Sequence, residues 1–357
     1  MKTNAEIAKE IDNIQVTLGN DEGRKPHMHE ISSFLTYKKV TVDDKLLTSA
    51  RLLSDFPKDD LVPTPTNLLT HYKWKVTDLD FDESFTDFSE EKGKSEFNNS
   101  AMFIGLNISN TANSQELADQ KDDWYMFHTD ETIKKKNSKS PKLDSNMVYN
   151  FVESHFDDSF DGCYITDIIK DTIDSNSANI KQNFFISTPS RRKKEYMSSN
   201  DWKVLSEAEK LEYISSKIGR YNLMHSNITK MAETLFKTDQ NKKTSKKNNS
   251  GHFDSLEEAE SQVKKNRAKF IECANIFIQE CNIIKPKHLV VYGEDTEWAL
   301  LRMLDIDAVR QNRKIVDLIE NHIGIKHYSG VYSIANAIKE GQRLLHAVNH
   351  NQSAIAF

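Results

Sequence analysis

The chain has 357 residues, 37% hydrophobic and 29% charged, with a formal net charge of −6. That balance excludes a disordered chain and a uniformly basic nucleic-acid binder. No apolar run approaches the ~20 residues a membrane helix needs, and the N-terminus lacks an apolar signal region, which predicts a cytoplasmic protein with no membrane partner. The three cysteines, Cys163, Cys273 and Cys281, form no Cys-x-x-Cys pair. A reducing compartment, no disulfide frame, no metal site and no cofactor are therefore expected.

In chain order, Ile7, Ile11, Ile14 and Leu18 recur at helical spacing and predict an amphipathic helix over 4–18. His27 and His29 flank Met28 in a charged stretch; without further ligands they read as a solvated turn rather than a metal site. Leu46, Leu47, Leu52 and Leu53 predict a second helix over 43–56. Pro57, Pro63 and Pro65 punctuate the next stretch, and 78–96 is acidic with interleaved Phe81, Phe85 and Phe88. Residues 1–97 read as a mostly helical N-terminal region.

Ala101 to Ile104 is a short apolar run closed by Gly105 and followed by Asn107, Ser109 and Asn110, a strand running into a polar turn. Most such exits are ordinary turns, yet the carboxyl ends of parallel strands are also where α/β proteins place their chemistry. Asp122 to His128 is a dense aromatic cluster containing Tyr125 and Phe127, either core or a stacking surface. A run of lysines including Lys134, Lys135 and Lys136 comes next without an acid, and 146–155 has a helical pattern. Cys163 to Lys170 reads as a second apolar strand ending near Thr166 and Asp167. A carboxylate at an apolar strand end needs a partner, because burying it alone is costly. It caps the next turn or reads a ligand.

Residues 172–255 form an insertion with two basic clusters, one opened by Arg191 and Arg192, the other running from Lys242 to Lys247. A charge run is usually a solvated face; three of them in an acidic chain point toward a polyanion. Ser255-Leu256-Glu257-Glu258 then opens a long helix like a capping box, stopped by Lys285-Pro286. His288 to Tyr292 is a third strand, succeeded by a helix from Asp295 to Leu304. Ile323 to Lys326 is a fourth, and a final helix covers 333–348. Strand and helix alternation in 98–171 and 256–350 predicts a parallel sheet with helices on both faces.

Three strand ends thus carry polar groups in order: Gly105-Leu106-Asn107, Thr166-Asp167 and His327-Tyr328-Ser329-Gly330. This set resembles the uracil-DNA glycosylase superfamily, nearest its mismatch-specific and single-strand-selective branch. The resemblance covers about 98–171 and 256–350. It departs at Ile108 and Ser109, where that branch has Pro-Gly, at Tyr328, where the family's His-Pro-Ser has Pro, and at Asp167, where many members carry Asn.

The resemblance implies a three-layer α/β/α fold with a short parallel four-stranded sheet over 98–357, joined to the helical region 1–97 and the basic insertion. It implies a monomeric, monofunctional glycosylase that hydrolyses the N-glycosidic bond of a flipped base in double- or single-stranded DNA. Asn107 would orient the attacking water and His327 would stabilise the leaving base. Phe127, or Tyr125, would stack on the base in a pocket bounded by Gly105. Asp167 would read the base edge. An ionised Asp only accepts hydrogen bonds, which favours a base with an amino donor such as a modified cytosine over uracil. Ser329 and Gly330 would hold a phosphate, Val331 or Tyr332 would wedge into the stack, and Lys134, Lys135, Lys136, Arg191 and Arg192 would add phosphate affinity. Two other readings stay open: a non-catalytic α/β module that binds nucleic acid, and a hydrolase of free nucleosides, against which the basic runs argue.

Overall fold

The computed structural model describes residues 2–16, 25, 27–34, 41–42, 45–46, 88, 96–107, 160, 162–170, 172, 177–186, 206, 223–243, 253–326, 341 and 343–349. Their elements in order are helices α1 (Asn4–Asp12) and α2 (Met28–Ile31), and strands β1 (Ser32–Phe34), β2 (Thr41–Val42), β3 (Lys45–Leu46), β4 (Met102–Asn107) and β5 (Tyr164–Ile169). Next come α3 (Ser177–Asn183), α4 (Ile228–Lys243), α5 (Leu256–Ile284), β6 (Leu289–Tyr292) and α6 (Gly293–Arg302). A 3-10 turn at Met303–Asp305 leads to α7 (Asp307–Arg310), α8 (Arg313–Glu320) and β7 (Ile323–Ile325).

The class is α/β, but the sheet has five strands, in the order β1-β5-β4-β6-β7. Within it β4 runs parallel to both β5 and β6, and β6 runs parallel to β7. The expectation of four strands is corrected at the edge, where β1 lies antiparallel on β5 and pairs Ser32 with Thr166 and Phe34 with Tyr164. The fifth strand comes from the region read as helical. So does the hairpin of β2 and β3, where Thr41 pairs with Leu46, so the expected helix over 43–56 does not begin there. The first helix also stops early, at Asp12, while Ile14 and Val16 continue into the core as irregular chain.

Burial explains why the strands outlast their predicted ends. β4 continues through Gly105 to Asn107 and β5 through Asp167 to Ile169, because each has a parallel neighbour to hold its backbone. Every residue of β5 and β6 is buried, as the near-continuous apolar runs of a sheet covered on both faces require. One glycine is structurally required. Gly162, with φ at 76°, precedes β5 where its Cβ position would fall 1.9 Å from the Glu96 carbonyl oxygen. The same contact joins the entries to β4 and β5, with the Asn98 N–H donating to Gly162 O at 3.2 Å.

The long helix α5 begins as expected: the Ser255 hydroxyl accepts from the Glu258 N–H at 3.1 Å. The box is half formed, since the Glu258 carboxylate accepts from the Asp254 N–H instead of the cap's own. Its end is an αL residue, Lys285, directly before Pro286. α1 packs on α5, and α4 lies along its N-terminal half. Of the expected final helix, residues 341 and 343–349 are described and are helical. The predicted pattern over 146–155 lies outside the described residues.

Candidate functional site

The chain passes from β4 to β5 on one side and then crosses to β6 on the other. The order of strands therefore reverses beside β4, and in open α/β sheets ligands bind at the carboxyl ends next to such a reversal. Asn107 is the last residue of β4 and sits there, half-buried. Its Nδ2 donates to the Thr172 carbonyl oxygen at 3.2 Å, which fixes the amide plane across the ends of β4 and β5.

Side chains alternate between the faces of a strand. On β5, Tyr164 and Thr166 point toward α5, and Asp167 points to the other face. In register with Asp167 stands Gly105 of β4, which has no side chain, and one residue beyond the Ile104–Val291 pair comes Tyr292 of β6. The row Asp167, Gly105, Tyr292 is buried and has no side chain at its centre, between a carboxyl and a phenol whose strands lie about two strand spacings, ~10 Å, apart. The floor of the same face is aromatic, with Phe103 stacked on Tyr292 at 6.1 Å and edge-on to Phe160 at 5.3 Å.

Asp167 is 3% exposed, and its Oδ2 has no hydrogen-bond partner among the described residues. Burial lifts the carboxyl from 3.8 to about 7; Lys170 opposes the rise and Glu280 adds to it. Near neutral pH the group therefore exists both as an acid, which donates and accepts, and as an acceptor-only carboxylate. Glu280 Oε2, Trp298 Nε1 and two nitrogens of Arg302 are also buried without a partner, but Asp167 is the one at the carboxyl end of a central strand.

Behind the strand lies a cluster that the sequence reading missed. Glu280 of α5 is completely buried, and its Oε1 accepts from the Tyr164 hydroxyl at 2.8 Å and the Thr166 hydroxyl at 2.9 Å. Lys170, 1% exposed, sits 2.9 Å from the same oxygen. Its ammonium also donates to the Thr166 hydroxyl at 2.6 Å and to the main-chain carbonyl of Asp167 at 2.8 Å. Burial and the neighbouring Glu280 push the Tyr164 phenol well above its usual range. The available signal was Lys170 closing an apolar run with Tyr164 and Thr166 on its own face, a pattern that demands a buried acid.

Of the predicted site residues the structure brings together Gly105, Asn107 and Asp167. His327, Phe127, Tyr125, Ser329, Gly330, Val331, Tyr332, Lys134, Lys135, Lys136, Arg191 and Arg192 lie outside the described residues. β7 ends at Ile325, two positions before His327 in the sequence. His29 meets Asp12, with Nδ1 and Oδ1 2.9 Å apart, and stacks on His27 at 5.4 Å. Among the described residues no group of three or more His, Cys, Asp or Glu side chains could hold a metal ion. The three cysteines are buried and none is in a disulfide; burial pushes the Cys273 thiol up to about 11.

No family model, no curated protein and no solved structure matches the chain. No helix among the described residues is long and apolar enough to cross a membrane.

Proposed function

We propose that the protein is a DNA glycosylase that hydrolyses the N-glycosidic bond of an extruded base and leaves an abasic site. The observation that carries the reading is the juxtaposition of Asn107 and Asp167 with the side-chain-free Gly105 at the reversal of strand order. The chemistry needs four parts. The sugar develops oxocarbenium character, so a water must be held beneath it. Asn107, its plane fixed through Thr172, orients that water by position rather than by basicity. The leaving base becomes anionic and takes a hydrogen bond from His327. Phe127 or Tyr125 stacks on the base.

Asp167 reads the base edge. Protonated, it offers a donor and an acceptor together, which matches uracil. Ionised, it accepts from an amino group, which matches a cytosine-type base. Both substrates fall within one carboxyl's range.

α5 supports a nucleic-acid partner. Cys273 Sγ meets the Lys170 N–H at 3.3 Å at the carboxyl end of β5, so residues 256–272 run about 25 Å beyond that end. α4 packs along this overhang and ends at Lys242 and Lys243. The basic run continues in sequence to Lys247.

The test is single-turnover base release from duplex and single-stranded DNA carrying uracil, cytosine or modified cytosine. Wild type should release one of these bases, and Asn107→Ala and His327→Ala should each lose about 100-fold in rate with DNA binding retained. Binding without any release by wild type would support the non-catalytic module, the reading favoured by Ile108 and Ser109 after Asn107.

A further inference from the structure

We propose that the buried Lys170–Glu280 pair is a positioning unit for Asp167 that decides whether its carboxyl meets a base as a donor or only as an acceptor. The inference rests on the base-excision reading and concerns the choice of base. The pair does not touch the face on which Asp167 lies. It reaches Asp167 through the strand: the Lys170 ammonium donates to the Asp167 main-chain carbonyl at 2.8 Å and is itself held by Glu280 Oε1 at 2.9 Å and Thr166 Oγ1 at 2.6 Å. Two opposite charges are thereby held against the strand at Asp167, the ammonium on its main-chain carbonyl and the carboxylate on the ammonium.

Among the described residues the charged groups acting on Asp167 are these two, one just past the end of β5 and one on α5. The Tyr164 phenol is held neutral by burial. Oδ2 of Asp167 has no partner among the described residues, so no other hydrogen bond fixes its charge. Lys170 favours the carboxylate and Glu280 favours the acid. Removing one leaves the other to act alone. Glu280→Gln keeps the side-chain shape and an oxygen acceptor for Tyr164, Thr166 and Lys170 while deleting the negative charge. Lys170→Met deletes the positive one.

The experiment follows the full-length protein by carboxyl-carbon NMR with labelled aspartate, using Asp167→Asn to assign the Asp167 signal. Glu280→Gln should lower the Asp167 midpoint by about 1 pH unit and Lys170→Met should raise it by a similar amount. In parallel, the ratio of uracil release to modified-cytosine release at pH 7 should fall about tenfold in Glu280→Gln and rise in Lys170→Met. An Asp167 midpoint unmoved in both folded variants overturns the proposal, as does a moved midpoint with an unchanged ratio. If neither variant folds, wild type still decides: an Asp167 midpoint in the ordinary carboxylate range overturns it. If wild type releases no base at all, the excision reading fails separately, and the titration still reports whether the pair governs Asp167.

Discussion

The two faces of β5 bury two carboxyl groups under different terms. Glu280, on α5, has three donors converging on Oε1, one of them the Lys170 ammonium as counter-charge, while its Oε2 has no partner among the described residues. Asp167, on the other face, has an oxygen with no partner among the described residues and is lifted to about 7. The first arrangement is what a fold needs to tolerate a buried charge. The second costs stability whenever the carboxyl ionises. The difference lies in the counter-charge: Glu280 has a lysine within 2.9 Å, and Asp167 has none on its own face among the described residues.

The comparison breaks first at Glu280. Glu280→Ala leaves the Lys170 ammonium buried with no counter-charge and should cost about 3–5 kcal/mol in urea unfolding. Lys170→Met combined with Glu280→Leu should recover most of that loss, because a well-packed apolar pair can replace a buried ion pair. A single and a double variant of equal stability would show that the pair carries no such role.

Asp167→Asn sharpens the other side. The folded protein holds the Asp167 proton where the unfolded chain has lost it, so stability contributed by this group falls as pH rises from about 4 to about 7. The amide does not titrate. The variant should therefore match wild type near pH 4 and gain up to about 4 kcal/mol relative to it above pH 8, measured by the same unfolding experiment. A difference that does not change with pH would place the carboxyl in water instead. The smallest effect is expected for Tyr164→Phe, which removes one of the donors on Glu280 and should cost about 1–3 kcal/mol, with Asp167 chemistry retained.

Much of the parallel core was legible. β5 announced itself as an apolar, β-branched run, and α5 was bounded by Ser255 and by Lys285-Pro286, because caps and stops are local chemistry. Gly105 read as a terminator, yet the strand runs on through it, since neighbours on both sides supply the hydrogen bonds that propensity does not. β1 was illegible: Ser32, Ser33 and Phe34 carry no strand signature, and only β5 makes them one. At the site, Asp167 could be flagged because a carboxylate in an apolar run is expensive anywhere. Its control by Glu280 could not, because the contact joins residues 114 positions apart at Thr166, a matter of packing rather than pattern.

β1 also bears on what happens if the chain is shortened. An outermost strand with bare amides is a template onto which any extended peptide can add. Here residues 32–34 cover the edge of β5, the strand that holds Asp167, and keep the outer border only three residues wide. A version trimmed past Phe34 would open the ribbon beside the proposed cleft, and self-association would then compete with substrate for the same edge of the molecule.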